Sequence, residues 1–575
     1  MSISVAVPLV VGFLRRAIMD GEPLWPWQLL LIAIAVISVG VLYRQQRPNG
    51  RVARRLRSRL LLGVPWGTLI AVVFLLAVYL FVQGAYSGDI FDPRGPVTYP
   101  FYASSFEYPL GIVTAAFSHG SFNHFLGNAI GLVVFGSICE YAVGHFPATS
   151  GSQAGRNWRS SPYLRPLAGF LGIVVIGLTM AATIPGSIIG FSGVIYALAG
   201  FALLVRPLTT LAGILAVDVL RLLYNAFNTP VSIWTSGRIG QQTVWFVDVS
   251  AIGHFFGFLV GVLAAVVYLR SREEHPSRSR IFGSVVVFGL LNQLWLVYWA
   301  AGNGQYVLHR AGGVALVFVL ATVVVLAIDE TGPLLPAGDT IPSTSTLART
   351  ALAILLLSCA FGGVALNTTT FEGTDLPNDP VEVRDYQIGY TENVTDQLYS
   401  VDVPLVDLPW IEEQTDVEAS GVIVLSERRH VWDIHTTADR LANSGVARVR
   451  VGGIGWRETV WATRTTWTVV GGSETYRVRL YPPDGQPRLA YTSAPATAEA
   501  IIANRSITLR PAGTDFEIAV ARENETLGVA TMPQDGGNAT VGDIRFDRRG
   551  RSLYANYEGT RVRIANKKIP PLRRN

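Results

Sequence analysis

Gly190-Phe191-Ser192-Gly193-Val194-Ile195-Tyr196 opens an apolar run that continues to Val205 and stops at Arg206. It sets a serine between glycines at the mouth of an apolar helix. Alone the pattern is ambiguous, because Gly and Ser commonly mediate packing between membrane helices. Nor is it the Gly-x-Ser-x-Gly elbow of soluble hydrolases, since residue 194 is Val. Its meaning depends on two neighbouring runs, one carrying His124 and Asn128 and the other His254.

A membrane-crossing helix needs ~20 mostly apolar residues. About ten segments qualify, centred on residues 25–43, 61–83, 121–144, 165–183, 188–205, 208–227, 249–269, 281–300, 311–328 and 349–366. Residues 1–366 hold 22 Arg against 13 Asp and Glu, whereas residues 367–575 hold 24 Lys and Arg against 28 Asp and Glu. The net charge of +5 therefore averages a basic membrane part and a mildly acidic soluble part, and it gives no indication of nucleic-acid binding. The only cysteines, Cys139 and Cys359, lie in apolar runs, so no disulfide framework is expected. Both lysines, Lys567 and Lys568, are at the far C-terminus, which excludes a Ser–Lys dyad in the membrane part. Two lysines beside 44 arginines point to a GC-rich genome, as in halophilic archaea. No cleavable signal peptide is expected, because Val5–Leu14 precedes Arg15 and Arg16, the reverse of signal order.

Arginine placement orients the spans. Loop 44–60 carries Arg44, Arg47, Arg51, Arg54, Arg55, Arg57 and Arg59, a strong cytoplasmic signal. Counting alternately from it, Arg156, Arg159, Arg165, Arg206, Arg270, Arg272, Arg278, Arg280 and Arg349 also fall inside. The N-terminus and the C-terminal domain are then both outside. Sequons at Asn367, Asn393, Asn504, Asn524 and Asn538, all in that domain, agree and predict a glycoprotein.

On this orientation the runs holding His124/Asn128, Ser192 and His254 all enter from outside. Ser192 lies 14 residues from Arg206, His254 lies 16 from Arg270, and Asn128 lies 17 from His145. At 1.5 Å per residue these are ~21, ~24 and ~26 Å of helix in an apolar core of ~30 Å. All three therefore lie at one level, several Å below the outer surface. Gly253, Gly257 and Gly261 on one run, and Gly193 and Ala197 on another, give small-xxx-small faces that let helices meet closely.

Serine is a poor nucleophile until a base takes its proton, and histidine suits that task near neutral pH. An anionic tetrahedral intermediate then needs placed donors. His124 and Asn128, at i and i+4 on one face, are candidates together with the Ser192 N–H. Asp218 and Arg221 read as a structural ion pair inside the membrane, Asp248 as a solvated loop charge, and Glu140 as a structural residue at the inner end of its span. No His-Glu-x-x-His or Cys-x-x-Cys pattern occurs, so neither metal nor cofactor is expected.

His119-Gly-Ser-Phe-Asn-His124-Phe-Leu-Gly-Asn128, Gly136-x3-Glu140, Gly190-Phe-Ser192-Gly193-Val-Ile-Tyr196 and His254-Phe-Phe-Gly257-Phe-Leu-Val-Gly261, taken in order, resemble the rhomboid intramembrane serine proteases. The resemblance covers residues 61–270, the extent of the family's six-helix core. It implies a Ser192–His254 dyad, an oxyanion hole lined by His124 and Asn128, Tyr196 stacked on His254, and a structural His119. It further implies transmembrane protein substrates entering laterally past the span at 208–227. The chain departs from the family pattern in its first outer loop, where Tyr102, Phe106 and Tyr108 stand in place of a Trp-Arg pair. Phe191 and Gly253 also replace the usual smaller residue and alanine.

The expected fold is thus a polytopic α-helical membrane protein with a C-terminal β-rich soluble domain. Residues 1–60 would hold an extra span and a basic loop, 61–270 the catalytic core, 271–366 three added spans, and 367–575 an extracytoplasmic domain beginning with an acidic linker. In that domain Val446–Val451, Tyr476–Leu480 and Arg561–Ile564 alternate as strands, and a helix is expected near Ile434–Ala442. A sandwich is the expected architecture. The leading function is a cofactor-free intramembrane serine endopeptidase. The alternative is a catalytically silent rhomboid-like adaptor that binds membrane proteins.

Overall fold

A computed structural model describes residues 51–86, 95–146, 161–184, 187–228, 251–272, 276–300, 306–329, 333–336, 342–368, 376–377, 379–395, 418–513, 515–523 and 525–568, with isolated residues between 28 and 41. Most of the span expected at 25–43, Asp248, Asn524 and most of the linker expected at 367–420 lie outside the described residues. Two compact units result. One draws on residues 1–81, 113–298 and 308–364, and the other on 82–112, 299–307 and 365–575.

The first unit is helical; its helices, numbered together with α3, most of which belongs to the second unit, are α1 (Arg51–Arg59), α2 (Trp66–Ala77), α3 (Pro109–Thr114), α4 (Phe122–Val143), α5 (Leu164–Thr183), α6 (Ser192–Val205), α7 (Pro207–Asn228), α8 (Ala251–Arg270), α9 (Arg278–Leu291), α10 (Arg310–Ala327) and α11 (Thr344–Asn367). Among the described residues, α4, α5, α7, α8, α10 and α11 are long and apolar enough to cross a membrane, and α2 with its π-turn extension to Val82, and α6, are shorter apolar helices. This is a multi-pass membrane protein.

Glu140 fastens the start of α2. Its carboxylate accepts the N–H groups of Gly67 and Thr68 and the Thr68 hydroxyl at 2.8–2.9 Å, and lies 2.6 Å from His145 Nε2. Helix N-termini leave N–H groups unsatisfied, and in an apolar surrounding those groups must find acceptors. The structural role expected for Glu140 is met in this way. Arg349 differs from its expected place in a loop. It lies within α11, buried, and donates to the carbonyls of Ala327, Asp329 and Pro333 at 2.7–3.2 Å, closing the C-terminal end of α10.

Glycines bring α6 and α8 together. A Cβ on Gly257 would lie 2.1 Å from the Gly193 carbonyl oxygen, and one on Gly261 would lie 1.9 Å from that of Ala197. No side chain fits either place, so backbone meets backbone as the small-residue repeats require.

The apolar run at 281–300 does not form the expected span. Its helix ends at Leu291 after 14 residues. Asn292 turns the chain back, with its N–H bonding to the Phe288 carbonyl at 2.8 Å and its side-chain amide donating to the same carbonyl at 3.1 Å. Gln293 follows at φ 63°, a left-handed conformation that no helix continues through.

The second unit is β-rich. β1 (Val381–Val383), β2 (Tyr386–Thr395), β3 (Glu418–Ser426) and β4 (Val431–Thr437) pair antiparallel in that order. α12 (Ala438–Ser444) begins later than the helix expected from Ile434. Residues 431–437, rich in aromatic and β-branched types, pair with β3 instead, and Thr437 caps the helix by accepting the Arg440 N–H. After α12 come β5 (Val446–Gly453), β6 (Trp456–Val469), β7 (Glu474–Tyr481), β8 (Arg488–Thr492), β9 (Ala496–Thr497), β10 (Ser506–Ala512), β11 (Asp515–Arg522), β12 (Glu525–Thr531), β13 (Asn538–Val541), β14 (Ile544–Arg549), β15 (Ser552–Tyr557) and β16 (Thr560–Lys568). One sheet runs β8-β7-β6-β16-β15-β14-β13 with β5 on β6, and a four-stranded sheet runs β9-β10-β11-β12. The three stretches read from sequence as strands lie in β5, β7 and β16. β6 serves two cores: Val460 and Ala462 enter one, Trp467 and Val469 the other. Of the sequons, Asn393, Asn504 and Asn538 are exposed, whereas Asn367 is buried and cannot carry a glycan in the folded chain.

Residues 95–112, expected as an outer loop of the helical core, belong to this β-rich unit. Tyr99 is buried in the first β core, with Tyr102 packed against it. The Ser104 hydroxyl donates to the Arg429 carbonyl at 3.3 Å, and the Phe106 N–H to that of Asn367 at 2.9 Å. Of the aromatic residues that set this loop apart in the sequence, Tyr102 packs on the β core, Tyr108 accepts from the Arg429 guanidinium at 3.0 Å, and Phe106 is exposed.

Candidate active site

Ser192 is the first residue of α6, and the turn before it is tightly specified. Gly190 has φ 129°, and a Cβ there would lie 2.5 Å from Cε1 and 2.7 Å from Nε2 of His124. Only glycine meets both demands. The Gly190 N–H donates to the Ala115 carbonyl at 2.9 Å, and the buried Phe191 ring lies 6.3 Å from that of Phe117. The turn is thus held by backbone on one side and a filled apolar socket on the other.

His254 Nε2 lies 2.7 Å from Ser192 Oγ. The Tyr196 ring, one turn into α6, stacks on the imidazole with centroids 4.1 Å apart and planes 10° from parallel. Gly193 sits against the Met180 side chain and the Gly253 carbonyl, where a Cβ would lie 2.5 and 3.4 Å from them. A methyl there would displace the end of the Met180 side chain on α5, while the Gly253 carbonyl of α8 would remain at ordinary contact distance.

α4 approaches from the other side. Ser121 caps it, accepting the His124 N–H at 3.2 Å, so the His124 ring is fixed close to Gly190. Two turns further, Gly131 faces Ile195, where a Cβ would lie 2.9 Å from Cγ2. Counting back three residues on each helix from this contact reaches Asn128 and Ser192, so the two share a level. The Asn128 amide nitrogen is buried with no hydrogen-bond partner among the described residues. A buried donor without an acceptor is costly unless something transient completes it. His119 is fully buried, with its ring edge-on to His124 at 5.3 Å and to Phe125 at 5.4 Å.

The geometry therefore brings together Ser192, His254, Tyr196, Gly190, Gly193, Gly257, Gly261, His124, Asn128 and His119 on α4, α6, α8 and the segment before α4. Asp218 and Arg221 on α7 approach to 4.0 Å with both side chains more than half exposed, a looser pair than the sequence suggests. Nearer the C-terminal end of that helix the Tyr224 hydroxyl donates to Asn123 Oδ1 at 3.3 Å, linking α7 to α4.

Residues 107–271 match the family model for the rhomboid domain. The chain contains a rhomboid domain. The matched stretch contains every residue of the constellation and ends just after α8. No curated protein and no solved structure matches the chain. Serine proteases that act inside the membrane are among the rhomboids, so the match and the Ser–His geometry concern the same residues.

Two features of the rhomboid site escaped the sequence reading. Met180 on α5 fills the space beside Gly193, and methionine in an apolar run carries no distinguishing signal. The Tyr196 hydroxyl donates to the Asn292 carbonyl at 3.1 Å, and Asn292 lies beyond the matched domain in a run that reads as uninterrupted helix.

Proposed function

We propose that this protein is an intramembrane serine endopeptidase that cleaves transmembrane protein substrates. The observation that carries the reading is the 2.7 Å approach of His254 Nε2 to Ser192 Oγ, with the Asn128 amide buried beside them on α4. His254 accepts the serine proton as Oγ attacks the scissile carbonyl, and the ring then returns that proton to the departing amine. Charge collects on the carbonyl oxygen in between. The Asn128 amide, the His124 imidazole and the Ser192 N–H at the start of α6 are the donors that would receive it, and such donors contribute most where water is scarce. Water then attacks the acyl carbon with His254 as base, and the proton passes from His254 to Ser192 Oγ as the new carboxylic acid departs.

Tyr196 keeps the imidazole in plane, and His119 buttresses His124 edge-on. Gly257 and Gly261 hold α8 against α6, so serine and histidine meet. The site needs no metal or cofactor for these steps. We place it toward the outer leaflet and the β-rich unit outside the cell membrane, on the arginine distribution and on the exposed sequons at Asn393, Asn504 and Asn538. Substrates would reach the site laterally past α7.

Purified full-length protein in liposomes tests the reading directly. Cleavage of a generic transmembrane substrate that Ser192→Ala abolishes supports it. Substrate binding without cleavage by either protein would establish the adaptor instead.

A further inference from the structure

The early end of α9 places a backbone acceptor on Tyr196. Arg278 to Asn292 is 14 residues, the same separation as Arg206 to Ser192, so on helices rising from the inner side both ends reach ~21 Å. Leu291 closes the helix, Asn292 bonds back to Phe288 twice, and Gln293 adopts φ 63°. The carbonyl of Asn292, released from any further helical turn, receives the Tyr196 hydroxyl at 3.1 Å. Phe288, one turn before, stands edge-on to Tyr196 at 5.5 Å and stacks on Phe258 of α8 at 5.5 Å and 15°. The tyrosine ring that lies on His254 is thus held at its hydroxyl and along its edge by a helix outside the matched rhomboid domain.

We propose that α9 is a positioning element for the reaction and that Phe288 and the Asn292 carbonyl are its positioning groups, acting through Tyr196 on the orientation of His254. The proposal rests on the protease reading above. A stacked ring free to slide would let the imidazole rotate about its Cβ, and Nε2 would leave the Ser192 oxygen. Fixing the tyrosine at its hydroxyl removes that freedom. A span running on to residue 300 would use the Asn292 carbonyl in its own helix, so the irregular turn is what makes the acceptor available.

A double-mutant cycle on the full-length protein provides the test. Tyr196→Phe removes the hydroxyl and keeps the stacked ring. Gln293→Val opposes the left-handed turn and so moves the Asn292 carbonyl, while Gln293→Gly accepts that turn. Tyr196→Phe and Gln293→Val are each expected to lower kcat roughly tenfold with KM unchanged, and the double variant to lose no more than either alone. Gln293→Gly is expected to match wild type. Phe288→Leu, which keeps an apolar side chain, provides a second route if Gln293→Val does not fold, and its expected result is the same kcat-selective loss.

The His254 ring 15N signals, assigned by their disappearance in His254→Ala, should shift alike in Tyr196→Phe and Gln293→Val. Additive losses in the cycle, or unchanged kcat together with unchanged His254 signals, overturn the proposal. A wild-type protein that cleaves nothing overturns the protease reading instead, and the 15N signals still report whether α9 holds the ring.

Discussion

The Tyr99 hydroxyl donates to Oδ2 of Asp433 at 2.7 Å, across 334 positions of sequence, and lies 2.8 Å from Nδ1 of His435. Burial, reinforced by the Asp433 carboxylate, pushes this hydroxyl well above its ordinary pKa, so it remains a donor at any physiological pH. A segment that enters the rhomboid motif a few residues later is therefore built into the interior of the β-rich unit.

Tyr99→Phe leaves Asp433 and His435 facing an apolar edge. The expected cost to the β-rich unit is about 1–3 kcal/mol, and Tyr99→Ala, which also empties a core site, should cost about 3–5 kcal/mol. Urea unfolding of the full chain followed by tryptophan fluorescence reads both. Equal midpoints for Tyr99→Phe and wild type would show that the hydroxyl contributes nothing.

Acid should loosen the same unit through Asp385. Burial pushes this carboxyl up, but the Arg429 guanidinium, bonded to it at 2.5 and 3.1 Å, outweighs burial and holds it below the usual carboxylate range. A carboxylate depressed by folding contributes stability above its unfolded value of about 4 and loses it as pH falls through the folded one. The gap in urea midpoint between wild type and Asp385→Asn should therefore be wide at neutral pH and close below about pH 4. A gap that stays constant across that range would contradict the ion pair.

Gly257→Ala should be far more damaging than its size suggests, because the new methyl would sit 2.1 Å from the Gly193 carbonyl oxygen. Prising α6 from α8 by about 1 Å is expected to cost activity about a hundredfold. Gly283→Ala, where nothing lies within 4 Å, is the control and should leave activity unchanged. Comparable turnover in the two variants would refute the close-packed interface.

Glu140→Gln keeps the shape of the side chain but exchanges an acceptor oxygen for an N–H donor. The amide groups of Gly67 and Thr68 then compete for one oxygen, and one donor is left unsatisfied at the start of α2. We expect a loss of about 1–3 kcal/mol in the membrane unit, read as a lower unfolding temperature in detergent with unchanged KM.

Much of the candidate site was legible in the sequence, for physical reasons specific to membranes. Polar groups are scarce in apolar runs, so Ser192, His254, His124 and Asn128 stand out, and helical rise converts their distance from arginine markers into depth. Glycine spacing likewise announced the α6–α8 contact, because only backbone-to-backbone approach uses it. What stayed hidden depended on backbone conformation. Hydropathy sees Leu290 to Ala300 as one continuing run, and it cannot register that Asn292 and Gln293 leave the helix. The partner of Tyr99 was equally hidden, since Asp433 and His435 gain meaning only when β4 folds beneath a loop from the other end of the chain. Ile434 read as helical because its apolar spacing suits either period, and pairing with β3 decided for strand.

The most direct test of the central claim is active-site labelling matched with cleavage in one preparation. Wild-type protein in liposomes should react with a fluorophosphonate at Ser192, lose that reaction in His254→Ala, and cut a transmembrane substrate at a rate that falls in step with the fraction labelled. Labelling that persists in Ser192→Ala, or cleavage that continues after Ser192 is fully modified, would contradict the account.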